Sequence, residues 1–127
     1  MFAKYDYNNF PLVKIDLSGT IKNNDDFLNF TNQWLKLYNK KENFEFIFNT
    51  YYSGLINPKY CILMALFIKK IKQQKIQYLQ KSKIFVYNKY IFQLLKIIFY
   101  IEKPVAPVEI IFYNELNNSK ITEIINI

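Results

Sequence analysis

The sequence contains no histidine and no arginine, and it has only one cysteine, Cys61, and two glycines. Histidine is the commonest general acid or base at neutral pH and the commonest metal ligand. Arginine is the usual bidentate ligand for phosphate and carboxylate groups. A chain without either residue is poorly equipped for most hydrolytic, metal-dependent or phosphate-transferring reactions. We therefore expect a protein that is not an enzyme, has no catalytic residues, no metal and no cofactor, and works by presenting a binding surface.

The cysteine content and the apolar runs also limit where such a protein functions. One cysteine excludes an internal disulfide, which favours a reducing compartment. Residues 1–10 carry charged and polar side chains and lack the apolar region of a signal peptide. The longest apolar run covers residues 60–68, whereas a membrane helix needs about 20 residues. We expect no transmembrane segment and a location in the cytoplasm of a cell or of a virus-infected host.

The positive charge of the chain comes from lysine alone. The formal net charge is +7, and every basic residue is a lysine. Base-specific reading of nucleic acids relies mostly on arginine, so we expect no specific nucleic-acid partner. Nonspecific attraction to an acidic protein or lipid surface remains open. The abundance of Lys, Asn, Ile, Tyr and Phe is typical of an AT-rich genome, so much of the charge can reflect codon bias.

Length and periodicity predict one α/β domain that spans residues 1–127. The chain is 51% hydrophobic and 19% aromatic, which is sufficient for a real core. Apolar patterns and turn signals predict strands at residues 2–7, 12–17, 44–48, 83–87 and 108–113. Helical spacing and capping residues predict helices that begin near residues 24, 57 and 89.

These elements give the order ββαβαβαβ. Strands that alternate with helices predict a mixed, mostly parallel sheet with helices packed on it. The opening hairpin adds the antiparallel part of the sheet. Ile121, Ile124 and Ile125 follow the cap-like Ser119 and predict a short C-terminal helix.

The segment between the third strand and the second helix is the most informative one for function. We predict a loop at residues 49–56, which leaves the carboxyl end of a strand, the edge where open α/β sheets bind ligands. Thr50 and Ser53 supply hydroxyl groups near a helix N-terminus, which favours a phosphate, and are the candidate phosphoacceptors. The candidate interface residues are Tyr51, Tyr52, Leu55 and Lys59, because interfaces favour exposed aromatic area.

Two other features have simpler interpretations. Cys61 lies in an apolar helical pattern, with no histidine to activate it, so we interpret it as a buried structural thiol. The lysines at positions 69, 70, 72 and 75 gather at the C-terminal end of the second helix, where cations complement the helix dipole. We interpret this cluster as a solvated face, and an acidic partner is the alternative.

The segment Val-Lys-Ile-Asp-Leu-Ser-Gly-Thr at residues 13–20, together with the ββαβαβαβ order, resembles the STAS domains of anti-sigma-factor antagonists and related small bacterial regulatory phosphoproteins. The resemblance implies a STAS-like fold, a regulatory role and a phosphoacceptor in the turn after the strand before the second helix. The matching stretch here is Asn-Thr-Tyr-Tyr-Ser-Gly at residues 49–54. It departs from the family pattern because Asn49 replaces an acid and two tyrosines lengthen the turn.

We therefore expect a non-catalytic interaction or regulatory module that binds another protein. The predicted binding surface is the 49–56 loop and the helix after it, and a phosphate on Ser53 or Thr50 would act as a switch. One alternative is a structural or accessory component of a larger assembly such as a viral particle. Another is a small apolar-ligand or lipid-binding domain, which predicts a closed apolar cavity. A homodimer also remains open.

Overall fold

The computed structural model describes residues 1–114 and 119–127. The strands are β1 (Ala3–Asp6), β2 (Leu12–Gly19), β3 (Phe44–Ser53), β4 (Leu79–Val86), β5 (Val108–Asn114) and β6 (Ser119–Ile125). The helices are α1 (Asn24–Leu37), α2 (Lys59–Ile71) and α3 (Lys89–Ile101), and a 3-10 turn at Tyr38–Lys40 follows α1.

The strands form one six-stranded sheet in the order β1-β2-β3-β4-β5-β6. The four central strands are parallel, and β1 and β6 pair antiparallel at the two edges. The prediction of an α/β fold with a mixed sheet is confirmed. Because each crossover moves to the next strand in the same direction, right-handed crossovers place all three helices on one face of the sheet. Within the described residues, no helix lies on the other face of the sheet, which we call the uncovered face.

The side chains alternate between these two faces. In β3, Phe44, Phe46 and Phe48 are buried toward the helices, whereas Glu45 and Ile47 point to the uncovered face. This period of two is what a strand with one buried face requires. The helical layer therefore shields the core, and the uncovered face is left for contact with solvent or a partner.

Trp34 of α1 lies at the centre of the core between the sheet and the helices. Its ring centroid is 4.9 Å from that of Phe46 in β3 and 5.3 Å from that of Phe67 in α2. Edge-to-face pairs of this kind stabilise a core beyond the area that they bury. The indole ring therefore joins the sheet to two of the helices.

Asparagine side chains lie at the starts of the helices α1, α2 and α3. At α2, Asn57 Oδ1 accepts a hydrogen bond from the Lys59 N–H at 3.0 Å. Asn23 Oδ1 accepts a hydrogen bond from the Asp26 N–H at 3.0 Å, and Asn88 Oδ1 accepts one from the Ile91 N–H at 2.8 Å. Each bond satisfies a backbone donor that has no partner within its helix. Because asparagine is a favoured N-cap residue, the starts of α1 and α3 could be predicted from the sequence.

The predicted loop at residues 49–56 is wrong over its first half, because β3 continues to Ser53. The long strand β2 supplies the partner for this extension: Ser18 pairs with Tyr52 and Gly19 with Ser53, after a β-bulge. Threonine and tyrosine are favourable strand residues, so local preference agrees with the pairing. The connection to α2 is therefore only residues 54–58.

The predicted C-terminal helix is also wrong, because this segment is strand β6. It pairs antiparallel with β5, with Ile121 opposite Phe112 and Ile125 opposite Val108. Without β6, the backbone groups along one side of β5 would have no partner in the sheet. The isoleucines and Thr122 of this segment are β-branched, and such residues favour a strand over a helix.

Candidate functional site

The two candidate phosphoacceptors are buried on the helix-facing side of β3. Thr50 is 3% exposed and Ser53 is 8% exposed. The Thr50 hydroxyl donates a hydrogen bond to the Phe85 carbonyl oxygen at 2.8 Å, so it links β3 to β4. Both hydroxyl groups are therefore shielded from solvent in this fold, and a kinase would reach them only after this part of β3 had opened.

The other predicted residues of this segment are exposed, but they lie in two places. Tyr51 and Tyr52 are 53% and 71% exposed at the end of β3. Leu55 and Lys59 are exposed in the connection to α2 and at the first residue of that helix. Because β3 extends to Ser53, Tyr51 and Tyr52 belong to the sheet, whereas Leu55 and Lys59 lie beyond the end of the strand.

Tyr51 and Tyr52 belong to a larger group of aromatic side chains on the uncovered face. We call this group the aromatic cluster; its members are Tyr51, Tyr52, Phe85, Tyr87 and Tyr113. Tyr51 is 5.0 Å from both Tyr52 and Tyr87 between ring centroids, with the rings edge to face. The cluster therefore runs across β3, the end of β4 and β5.

The rings at the centre of the cluster stack on one another. Tyr87 and Tyr113 are 5.4 Å apart with an interplanar angle of 14°, and Phe85 and Tyr113 are 6.3 Å apart with an angle of 11°. The Lys120 ammonium lies 5.7 Å from the Tyr113 ring centroid. Each stacked pair partly covers one face of its rings, so fewer ring faces are free for the base stacking that single-stranded nucleic acids use.

Sequence reasoning missed Phe85, Tyr87 and Tyr113. The signal that could have identified them is the position of aromatic residues near the carboxyl ends of predicted parallel strands. Residues two apart in a strand share a face, and the carboxyl ends of parallel strands meet at one edge of the sheet. Phe85 and Tyr87 are two residues apart, and Tyr113 lies near the end of the next strand. The missing information was the order of the strands in the sheet.

A shallow depression of about 290 Å³ lies beside the aromatic cluster on the same face. Its lining combines aliphatic, polar and charged side chains with three rings of the cluster: Lys14, Asp16, Ile47, Asn49, Phe85, Tyr87 and Tyr113. Asn49 Oδ1 is already engaged, because it accepts a hydrogen bond from the Tyr51 N–H at 3.0 Å. Lys14 and Asp16 are exposed and offer one charge of each sign to a bound group.

The phenol of Tyr87 has a perturbed pKa within the cluster. Burial, together with neighbouring Tyr113 and Tyr51, raises the pKa of Tyr87 above its usual value. Its hydroxyl therefore stays protonated at neutral pH, where a phenol can both donate and accept a hydrogen bond. Toward the other end of the strands, the charges are paired: Lys81 lies 3.7 Å from Glu45 and Lys83 lies 4.0 Å from Glu109.

The interior holds a second space, an apolar cavity of about 130 Å³ between the sheet and the helices. Its lining includes Cys61 and Met64 of α2 and the two buried hydroxyl residues of β3. Cys61 is buried, as predicted, and burial raises the pKa of its thiol. Pockets for drug-sized ligands have about 300–1,000 Å³, whereas a 150 Å³ cavity binds a molecule such as benzene. The cavity is therefore too small for a lipid.

Within residues 1–114 and 119–127, no group of three or more acidic or cysteine side chains is placed to hold a metal ion. In the same residues, no helix has the length and apolar character needed to cross a bilayer.

No family model matches the chain, and no curated protein or solved structure matches it significantly. The resemblance to STAS domains stays a prediction.

Proposed function

We propose that this chain is a non-catalytic interaction module that binds another protein through the aromatic cluster. The observation that supports the proposal is the position of five aromatic side chains together on a sheet face that no helix covers. A regulatory role for such a module is what the predicted resemblance to STAS domains implies. This role needs no phosphate at Ser53 or Thr50.

The chemistry of tyrosine supports a protein partner. Tyrosine is enriched in interfaces and in the few residues that dominate their binding energy. It supplies a large contact area with only two rotatable side-chain bonds, so it loses little conformational entropy on binding. The rings of the cluster already contact one another, which lowers the cost of ordering them in a complex.

The surroundings of the cluster add polar groups to this apolar surface. Lys14, Asp16 and the Tyr87 hydroxyl border the same depression and are able to form directional bonds to a partner. Interfaces typically combine an aromatic centre with a polar rim. The aromatic cluster and its border have this composition.

Capture of binding partners from native lysate tests the proposal. The wild type is compared with the double variant Tyr51→Ala/Tyr52→Ala, which removes the two most exposed rings of the cluster. A partner bound through these residues should be retained at least about tenfold less by the variant, because central tyrosines commonly contribute 2 kcal/mol or more.

Tyr7→Ala is the matched control, since Tyr7 is an exposed tyrosine outside the cluster. This variant should retain the partner at the wild-type level. Equal retention by the cluster variant, with both variants folded, would contradict the proposal. A partner that is lost only with the cluster variant but stays bound through purification would favour a permanent component of a larger assembly over a transient regulator.

A further inference from the structure

The acidic residues are absent from a long central part of the sequence. Between Glu45 and Glu102 there are nine lysines and no Asp or Glu, whereas the rest of the chain has eight lysines and all ten acidic residues. An AT-rich genome enriches lysine throughout a chain, but it does not remove acidic residues from one part of it. The segregation of charge therefore needs another explanation.

The segment includes most of β3, all of β4 and the two neighbouring helices α2 and α3, and these helices carry or flank most of its lysines. Several large apolar side chains of these helices point outward instead of into the core. They are Ile62 and Leu66 of α2 and Ile97, Tyr100 and Ile101 of α3. Tyr100 is 91% exposed. The outer face of α2 and α3, defined by these five residues, is thus more apolar than a solvated helical face requires.

Lysines surround these apolar side chains. Lys69 and Lys70 are exposed in the last turn of α2, and Lys89 is exposed at the first residue of α3. Within the described part of the chain, no carboxylate is within ion-pair distance of Lys69 or Lys70. These ammonium groups are therefore available to an external anionic surface.

We infer that the outer face of α2 and α3 binds the surface of a bilayer that contains anionic lipids. Helical surfaces with Ile or Leu beside lysines lie in the plane of the bilayer interface, and each lysine strengthens attraction to anionic headgroups. Tyrosine favours the level of the headgroups, which suits Tyr100. The helices belong to one layer on one side of the sheet, so both contact a flat surface together.

Other occupants fit this face less well. A second copy of the chain would bring two lysine-rich surfaces together, on which Glu102 and Glu123 are already paired with Lys72 and Lys96, and like charges repel. Specific protein interfaces are depleted in lysine and enriched in arginine, which this chain lacks. Nucleic acid would use the lysines but would leave Ile62, Leu66 and Ile97 without a favourable partner. A bilayer interface accepts both the charges and the apolar side chains.

Vesicle flotation with the full-length chain tests this inference, which is independent of the function proposed for the aromatic cluster. Vesicles of phosphatidylcholine alone are compared with vesicles that contain phosphatidylserine, at low and at physiological salt. The chain should float with the anionic vesicles, more strongly at low salt, and should not float with neutral ones. The variant Lys69→Gln/Lys70→Gln should reduce partition to the anionic vesicles at least about tenfold.

Lys4→Gln/Lys22→Gln is the matched control, because it removes the same charge from exposed positions outside α2 and α3. It should leave partition unchanged. Ile62→Ser/Leu66→Ser should weaken binding even where salt has screened the charges. Thermal unfolding of each variant establishes that the loss is not caused by unfolding.

Three results would overturn the inference. The first is no binding to anionic vesicles, and the second is equal loss with both lysine variants. The third is salt-dependent binding to polyglutamate or single-stranded DNA without binding to vesicles, which would assign the face to an acidic macromolecule.

Discussion

At the scale of single residues, Trp34 contributes most visibly to the core. It contacts aromatic rings from α1, β3 and α2 and is almost fully buried. Replacing a large aromatic residue by alanine removes these contacts and leaves a cavity. We expect Trp34→Ala to lower the free energy of unfolding by about 3–5 kcal/mol.

Urea unfolding followed by circular dichroism measures this effect. Trp34→Phe is the control, because it keeps a ring in the same space and should lose clearly less stability. An alanine variant as stable as the wild type would mean that the Trp34 ring is not packed as described.

Tyr38 gives a residue-scale prediction for pH. Burial raises the pKa of Tyr38 to about 12, whereas an unfolded tyrosine ionises near pH 10. Between these values the unfolded chain releases a proton that the folded chain retains, so stability falls as the pH rises. Below pH 10 the folded and the unfolded chain both keep the Tyr38 proton, so the contribution of Tyr38 to the free energy of unfolding does not change with pH.

The free energy of unfolding of the wild type and of Tyr38→Phe, measured from pH 8 to pH 11, tests this prediction. Below pH 10 the variant should be about 1 kcal/mol less stable than the wild type, because the Tyr38 hydroxyl donates a hydrogen bond to Gln77 Oε1 at 2.9 Å. Above pH 10 the free energy of unfolding should fall less steeply with pH for the variant than for the wild type. Parallel curves for the two proteins would contradict the raised pKa.

At the scale of elements, the strength of the local signals explains which predictions succeeded. The helices α1 and α3 have capping asparagines and apolar residues at helical spacing, so their starts could be predicted. Strand β6 pairs with β5, which directly precedes it in the chain, and its β-branched residues are a local strand signal that the helical interpretation of the isoleucine spacing set aside. The end of β3, in contrast, depends on pairing with β2, which lies far away in the sequence. Local propensity does not carry that information.

Strand β6 gives the prediction at this scale. Deletion of residues 119–127 would leave the backbone groups along one side of β5 unpaired. Strand β5 also carries the core side chains of Val108, Ile110 and Phe112, so the new edge would lie on a strand of the hydrophobic core. Unpaired strands of this kind associate with other chains. We expect a lower melting temperature and concentration-dependent aggregation, measured by thermal unfolding and size-exclusion chromatography. A monomeric deletion variant with unchanged stability would mean that β6 is dispensable.

At the scale of the whole molecule, the two-layer architecture gives the chain two opposite surfaces of different chemistry. The aromatic cluster lies on the sheet side, and the outer face of α2 and α3 lies on the helical side. A partner protein and an anionic bilayer would therefore not compete for the same surface. An adaptor that holds a protein at a membrane is consistent with this geometry.

Part of the candidate site could be predicted from the sequence. Tyr51 and Tyr52 were identified because they follow a strong strand pattern and precede a helix. Tyr87 and Tyr113 were not, because their proximity follows from the sheet order. The burial of Thr50 and Ser53 follows from the β-bulge and the extension of β3, neither of which leaves a local signal.

Site-specific photocrosslinking in the native host tests the central claim most directly. A photoreactive phenylalanine analogue replaces Tyr52 in the aromatic cluster or, as the control, the exposed Tyr7 outside it. We predict a discrete crosslinked protein from position 52 that is absent from position 7. The same crosslinked protein from both positions, or from position 7 alone, would contradict the assignment of the aromatic cluster as the binding surface.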